Sequence, residues 1–279
     1  MSSEFELSRN ITIGQYVPTG SYIHRLDPRI KLFVFIILVL AIAFNTTYIG
    51  NIVGLIISVY FFWASRIPIS YALSGIKPAI PFIVILAILQ LLFQGKLFTG
   101  GTVLVDYGFI FITSESLRLV IVSAVRFVEI IFLSSVLTLS TSITELTHSI
   151  QSLLSPLKKI HFPVHEISLI TTIAIRFVPT FAMEMEKMMK AQASRGADFG
   201  SGSWWRIVQR TKDMFPIIIP LFNIALARAE DLILAMEARG YTPGDDRSSF
   251  AVYKAQGKDY AALIIGILLA VLLFYPFPL

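Results

Sequence analysis

The chain has 279 residues, of which 55% are hydrophobic and 15% charged, with a formal net charge of +5 and a mean hydropathy of +0.74. Soluble domains carry about 25% charged residues, so this composition indicates an integral membrane protein and excludes a soluble domain. The sequence contains no cysteine, which excludes disulfides and thiolate metal sites. Its first residues are polar and acidic rather than basic and then apolar, so no cleaved secretory signal is expected.

A helix start is predicted at Leu26-Asp27-Pro28-Arg29, just before the first long apolar segment. Aspartate is a favoured N-cap because its carboxylate accepts a hydrogen bond from a free backbone N–H, and proline is favoured at the first helical position. Asp27, Pro28 and Arg29 are therefore expected to form a cap at the membrane entrance.

Five apolar segments are candidates to cross the bilayer, whose hydrocarbon core of about 30 Å requires roughly 17 to 25 mostly apolar residues per helix. In chain order they are residues 31–44, 48–64, 78–94, 117–139 and 260–277. The link at 45–47 is short and uncharged, which predicts an antiparallel hairpin of the first two spans. Between the third and fourth spans, residues 107–113 fit either a strand or a short helix.

Basic residues lie unevenly around these spans, and by the positive-inside rule they place the N-terminus in the cytoplasm. Five crossings then place residues 142–258 in the cytoplasm and the C-terminus outside. The predicted fold is an all-α polytopic membrane protein with a cytoplasmic N-terminal segment (1–30), four transmembrane helices (31–139), a cytoplasmic helical domain (140–258) and a last transmembrane helix (259–279). Acidic and basic residues nearly balance in the helical domain, which favours a protein partner over nucleic acid or anionic lipid.

Two long amphipathic helices are predicted inside this domain, because apolar residues recur there at steps of three and four. The first carries its apolar face from Ile170 to Met188, and Pro179 within it predicts a kink or a break. The second carries its apolar face from Leu221 to Met236. A shorter helix is predicted at residues 143–157, with Ser142 or Thr141 as its cap.

Both long helices are expected to end on a small residue followed by arginine and glycine. The first end is Ala193-Ser194-Arg195-Gly196 and the second is Ala238-Arg239-Gly240. Either motif alone is explained by an ordinary helix cap, because glycine adopts the left-handed closing conformation and arginine favours the negative end of the helix dipole. Their recurrence in one domain predicts two equivalent binding points, where each arginine fork could hold a carboxylate by two hydrogen bonds.

One pair of opposite charges lies within the predicted fourth span. Arg126 and Glu129 are three positions apart, close enough to pair on one helix face. A lone arginine at mid-membrane costs about 2.5 to 3.5 kcal/mol, so a structural ion pair is predicted there.

The sequence resembles a known family at these motifs. Leu26-Asp27-Pro28-Arg29-Ile30-Lys31-Leu32, Arg176-Phe177-Val178-Pro179 and the two arginine-glycine endings together resemble the transmembrane T component of energy-coupling factor (ECF) transporters. The resemblance covers about residues 26–240. It departs from the family pattern at Ser194, where alanine is usual.

The resemblance implies a non-catalytic scaffold in the plasma membrane of a prokaryote, taking part in vitamin or micronutrient uptake. Two cytoplasmic ATPase subunits of the ATP-binding-cassette (ABC) type, identical or different, would each receive one helix end with Arg195 or Arg239. ATP and magnesium are expected on those subunits and no cofactor on this chain. A small substrate-binding membrane protein, the S component, would dock against this chain among the membrane lipids, and Arg176 with Pro179 would act as a hinge.

Two other functional classes fit the residues less well. An intramembrane lipid-modifying enzyme would use His148, His161, His165 and Glu166, but Pro163 interrupts the histidine pair and no acidic cluster accompanies it. A stand-alone channel or carrier would need matching halves with polar or broken membrane helices, and the two halves do not match. Neither Gly95-Lys96 nor Gly257-Lys258 is followed by serine or threonine, so the chain has no nucleotide-binding phosphate loop.

Overall fold

The computed structural model describes residues 16–45, 47–94, 103–107, 110–160, 163–197, 207–242 and 255–274. The helices are α1 (Pro28–Phe44), α2 (Tyr48–Ala64), α3 (Ile69–Ile76), α4 (Ile80–Gln94), α5 (Ser114–Ser140), α6 (Ile143–Leu154), α7 (Val164–Ser194), α8 (Ile207–Ala238) and α9 (Gly257–Phe274). Short 3-10 turns cover Lys77–Ala79 and Ser155–Ile160, and strands β1 (Val103–Tyr107) and β2 (Ile110–Thr113) pair antiparallel. The predicted all-α class is confirmed, with this hairpin as the exception within the described residues.

The described elements form two compact units. The seven-helix unit contains α1 to α6 and α9, and the two-helix unit contains α7 and α8. The predicted cap of α6 is confirmed, because the Ser142 N–H donates to Glu145 Oε2 at 3.0 Å and the Glu145 N–H donates to Ser142 Oγ at 3.3 Å. Although α6 was expected in the helical domain, it packs within the seven-helix unit.

Several helices are long and apolar enough to cross a membrane, which confirms a polytopic membrane protein. By length and composition these are Ile69–Phe93, Ser114–Ser140, Glu166–Ser194 and Gly257–Phe274, with Tyr48–Ala64 apolar but shorter. Residues 166–194 are among these helices, although the sequence pattern predicted a cytoplasmic position for them. Helix α3 was not predicted at all.

The core of the seven-helix unit is built around α1. Leu38, Ala41 and Ile42 are buried there against Leu133 of α5 and Leu273 of α9. In lipid, helices associate through close packing and polar contacts, because their apolar surface gains nothing by leaving hydrocarbon. The position of α1 between two partners therefore depends on shape rather than on hydrophobicity.

Helices α1 and α9 run parallel and are joined at both ends. At the first end the Asp27 backbone N–H donates to Asp259 Oδ1 at 2.9 Å, and at the other Asn45 Nδ2 donates to the Leu273 carbonyl at 2.8 Å. Between them, a Cβ atom placed on Gly266 would lie 2.6 Å from Val34 Cγ1, so only glycine allows this approach. The two helices are thus fixed in register along their length.

The predicted ion pair between Arg126 and Glu129 is wrong. Arg126 instead donates to the Asn45 carbonyl at the end of α1. Glu129 is fully buried, and both its carboxylate oxygens lack hydrogen-bond partners among the described residues. Its carboxylate lies against Gly54 of α2, where an added Cβ would be 2.9 Å from Oε2. Neighbouring helices, rather than the three-residue spacing, decide where these side chains lie.

Candidate functional site

The end of α7 is a closed helix cap. Gly196 has φ +88°, and its N–H donates to the Ala193 carbonyl at 3.0 Å, while the Ala197 N–H donates to the Gln192 carbonyl at 3.0 Å. This pair of bonds is the Schellman motif, which satisfies carbonyls that the last helical turn leaves free. Arg195 occupies the C-cap position, directly before the left-handed glycine.

The end of α8 has the same hydrogen-bond pattern. Gly240 has φ +72°, its N–H donates to the Glu237 carbonyl at 2.9 Å, and the Tyr241 N–H donates to the Met236 carbonyl at 2.9 Å. Arg239 therefore occupies the position in α8 that Arg195 occupies in α7. The two predicted helix ends are confirmed as matched local structures.

Both ends are exposed within the two-helix unit. Ser194, Arg195 and Gly196 are exposed, as are Ala238, Arg239 and Gly240. The Ser194 hydroxyl donates to the Lys190 carbonyl of its own helix at 3.0 Å. Because the hydroxyl proton is already bonded within the helix, Ser194 cannot donate it to a partner. In this respect Ser194 resembles Ala238 of the second end.

The two arginines are suited to bind carboxylates but supply no group for proton transfer or nucleophilic attack. A guanidinium stays charged and presents its donors in a fixed fork, which matches a carboxylate with two parallel hydrogen bonds. Each helix end thus presents one guanidinium directly before its left-handed glycine.

A polar brace joins α7 to α8, and sequence analysis missed it. Arg228 Nη2 donates to Glu184 Oε1 at 3.0 Å, and the guanidinium carbon lies 5.9 Å from the centre of the Phe181 ring. Glu184 and Arg228 are 44 positions apart, which is also the separation of Arg195 and Arg239. The brace therefore lies eleven residues before each arginine, about 16 Å along either helix at 1.5 Å per residue. The separation of 44 positions, which both residue pairs share, is the sequence feature that could have indicated this contact.

The remaining predicted site residues lie apart from these ends. Arg176 and Pro179 are exposed on α7, and the helix continues through Pro179. The predicted break at Pro179 is therefore wrong, whereas a kink there and the hinge role of Arg176 with Pro179 stay predictions. The Asp27 cap is confirmed, because the Arg29 N–H donates to Asp27 Oδ1 at 2.9 Å and Pro28 is the first residue of α1.

The chain before α1 is held against the end of α5 by bonds that the sequence did not predict. The Val17 N–H donates to the Leu139 carbonyl at 3.0 Å, and Lys31 Nζ donates to the carbonyls of His24 at 3.1 Å and Ser140 at 3.0 Å. Burial lowers the pKa of His24 below its ordinary value of 6.5, so this imidazole is neutral at pH 7. The membrane entrance is therefore a fixed structure.

We expect Gly196→Ala or Gly240→Ala to loosen its own helix end. Nothing lies within 4 Å of a Cβ added at either position, so the cost comes from the left-handed backbone alone, about 1 to 2 kcal/mol. Hydrogen exchange of the last-turn amides should accelerate about 5- to 30-fold in the substituted helix only. Gly257→Ala, which also has open space and no positive φ, is the control. Unchanged exchange would contradict the cap assignment.

Comparison with known proteins gives one consistent family. A family model described as CbiQ, cobalt transport protein, matches residues 19–250. The energy-coupling factor transporter transmembrane protein EcfT of Streptococcus equi subsp. equi (strain 4047) is 39% identical over 264 residues, covering 95% of this chain and 96% of that protein. The proteins of the same name from Macrococcus caseolyticus (strain JCSC5402) and Bacillus subtilis (strain 168) are 41% and 37% identical, covering 94% and 95% of this chain and 97% and 98% of their own lengths. The chain therefore belongs to the family of energy-coupling factor transporter transmembrane proteins, the T components.

Proposed function

We propose that this chain is the non-catalytic subunit that couples two cytoplasmic ATPases of the ABC type to a substrate-binding membrane protein, for vitamin or micronutrient uptake. The observation that carries this proposal is the pair of exposed, identically capped helix ends at Arg195 and Arg239. Two ATPase subunits, identical or similar, each need one attachment point of the same shape. ATP and magnesium would then bind to those subunits and not to this chain.

The Glu184–Arg228 brace supports a mechanical role. Because it lies at the same distance from both arginines, a displacement at one helix end is passed to the other helix at an equivalent position. The side chains are 22% and 32% exposed, so the bond is accessible to water and can re-form after a movement. When the ATPases approach each other on binding ATP, α7 and α8 would move together rather than separate.

An exposed apolar face on α8 supports the docking of a second membrane protein. Ile219, Phe222, Leu226 and Ile233 recur at helical spacing and are 49–61% exposed within the two-helix unit. Contiguous apolar surface of this kind indicates a protein or membrane contact. We assign it to the S component, and we place the N-terminus in the cytoplasm as the distribution of basic residues favours.

Affinity purification of the chain from its native membranes in mild detergent, followed by mass spectrometry, tests this function. We expect two ATP-binding-cassette subunits, or two copies of one, together with a small hydrophobic membrane protein. The identity of that small protein would give the substrate class.

A chain purified without ATPases from membranes that contain them would contradict the coupling function. Lys77→Glu is a suitable control bait, because Lys77 is exposed in the seven-helix unit and far in sequence from both helix ends. That variant should retain the same partners as the unsubstituted chain.

A further inference from the structure

An open cleft of about 1100 Å³ lies in the seven-helix unit, at the end where α1 and α9 begin and α2 ends. Its lining combines three cations, Arg25, Arg66 and Lys258, with an apolar wall that includes Phe62 and Phe132. The proposed coupling function uses none of these residues. The cleft therefore requires its own explanation.

The charges of the cleft are not balanced. Its one acidic residue, Asp259, is buried, and its carboxylate oxygens accept the Asp27 N–H at 2.9 Å and the Gln256 N–H at 2.7 Å. The side chains of Arg25, Arg66 and Lys258 are exposed, and none forms an ion pair with an acidic residue in the described parts of the chain. Three exposed cations that line one cleft, beside one carboxylate that is already hydrogen-bonded, attract an anion.

Arg66 supplies a second, independent observation. It has φ +55° and is the one non-glycine residue with positive φ among the described residues. It directly follows the C-cap of α2, Ser65, the position that glycine occupies after α7 and α8. An arginine where the backbone favours glycine points to a role for its side chain, because such strain occurs mainly at functional sites.

The surroundings of the cleft select a lipid over a soluble anion. Trp63 and Tyr22, which line it, are 75% and 56% exposed, and these two residue types concentrate at the membrane–water boundary. Ile69 at the same rim is 68% exposed and offers apolar surface next to the cations. A soluble phosphate would leave this apolar surface uncovered, whereas acyl chains would cover it.

We propose that this cleft binds the headgroup of an anionic phospholipid, with Arg25, Arg66 and Lys258 around the phosphate and the acyl chains along the exposed apolar rim. Bound there, the lipid bridges the starts of α1 and α9 and the end of α2. It would hold together three helix ends that meet at one side of the membrane.

Native mass spectrometry of the full-length chain in detergent tests the proposal, with phosphatidylglycerol and phosphatidylcholine of identical acyl chains as probes. We expect preferential binding of phosphatidylglycerol to the unsubstituted chain. Each cation near a membrane surface contributes about five-fold in affinity, so Arg25→Gln/Arg66→Gln/Lys258→Gln should lose about 100-fold for phosphatidylglycerol and little for phosphatidylcholine. Lys77→Gln, an exposed lysine outside the cleft lining, is the matched control and should bind as the unsubstituted chain does.

Arg66→Gly separates the loss of charge from a folding defect. Glycine removes the charge and also relieves the strain of the positive φ. It should be at least as thermostable as the unsubstituted chain and bind phosphatidylglycerol about five-fold more weakly. Equal binding of the two lipids, or unchanged binding by the triple variant, would overturn the proposal. Displacement of phosphatidylglycerol by millimolar inorganic phosphate would identify a site for a soluble anion instead.

Discussion

A chain carrying both Arg195→Glu and Arg239→Glu should be purified without its ATPase subunits, and each single substitution should weaken their retention. On binding, each exposed guanidinium would become buried against a carboxylate, and removal of one partner from a buried ion pair costs about 3 to 5 kcal/mol. Since about 1.4 kcal/mol is a factor of ten, each single change should weaken binding at least 100-fold. Quantitative mass spectrometry of the co-purified ATPases gives the measurement.

Comparison with two other variants makes the result specific. Lys77→Glu reverses an exposed charge elsewhere and should retain both ATPases, and Gly196→Ala should weaken retention far less than Arg195→Glu. Unequal losses from the two arginine variants would indicate two different ATPase chains. If the double variant retained both ATPases at the yield of the unsubstituted chain, the docking assignment would be wrong.

Gly266→Leu should destabilise the seven-helix unit by forcing α1 and α9 apart. Even a Cβ at this position would lie 2.6 Å from Val34 Cγ1 and 2.8 Å from Val34 Cγ2, and the branched valine has little rotamer freedom in a helix. Helices α1 and α9 would have to separate, at a cost of about 1 to 3 kcal/mol or more. Thermal unfolding followed by size-exclusion chromatography should show an earlier transition.

Two matched changes test the cause of that loss. Gly257→Leu places the same side chain at the start of the same helix, where nothing lies within 4 Å of the Cβ, and should leave the transition unchanged. Gly266→Ala should be partly rescued by Val34→Ala, because the two closest atoms are then absent. Equal transitions for Gly266→Leu and Gly257→Leu would mean that α1 and α9 do not pack as described.

The elements that the sequence predicted well are those set by local chemistry. The Asp27 cap and the two arginine-glycine ends depend on residues within one turn, and the long apolar helices depend on length and composition. Helix α3 was missed because it is only eight residues long and lies between Arg66 and Lys77, in a segment with the composition of a loop. For residues 107–113 the sequence fits both a strand and a short helix, because the segment is too short to distinguish an alternating hydrophobic pattern from a helical one.

Contacts between distant residues were not predictable in the same way. The three-residue spacing of Arg126 and Glu129 favoured a pair only if no neighbouring helix competed, and the carbonyl of Asn45 does compete. The bond between the Asp27 N–H and Asp259 could not be predicted, because it joins residues that the sequence keeps 232 positions apart. Among these contacts, only the one between Glu184 and Arg228 has a counterpart in the sequence, because these two residues are as far apart in the chain as Arg195 and Arg239.

The pairing of α1 with α9 also has a consequence for how the protein is made. Helix α1 leaves the ribosome first among the described helices, yet the residue that receives the Asp27 N–H is synthesised 232 positions later. At 5 to 20 residues per second this is a delay of about 12 to 46 seconds. During that interval the face of α1 that α9 will cover is open to lipid or to the insertion machinery. Quality control of the nascent chain must therefore tolerate an inserted but incomplete bundle until α9 arrives.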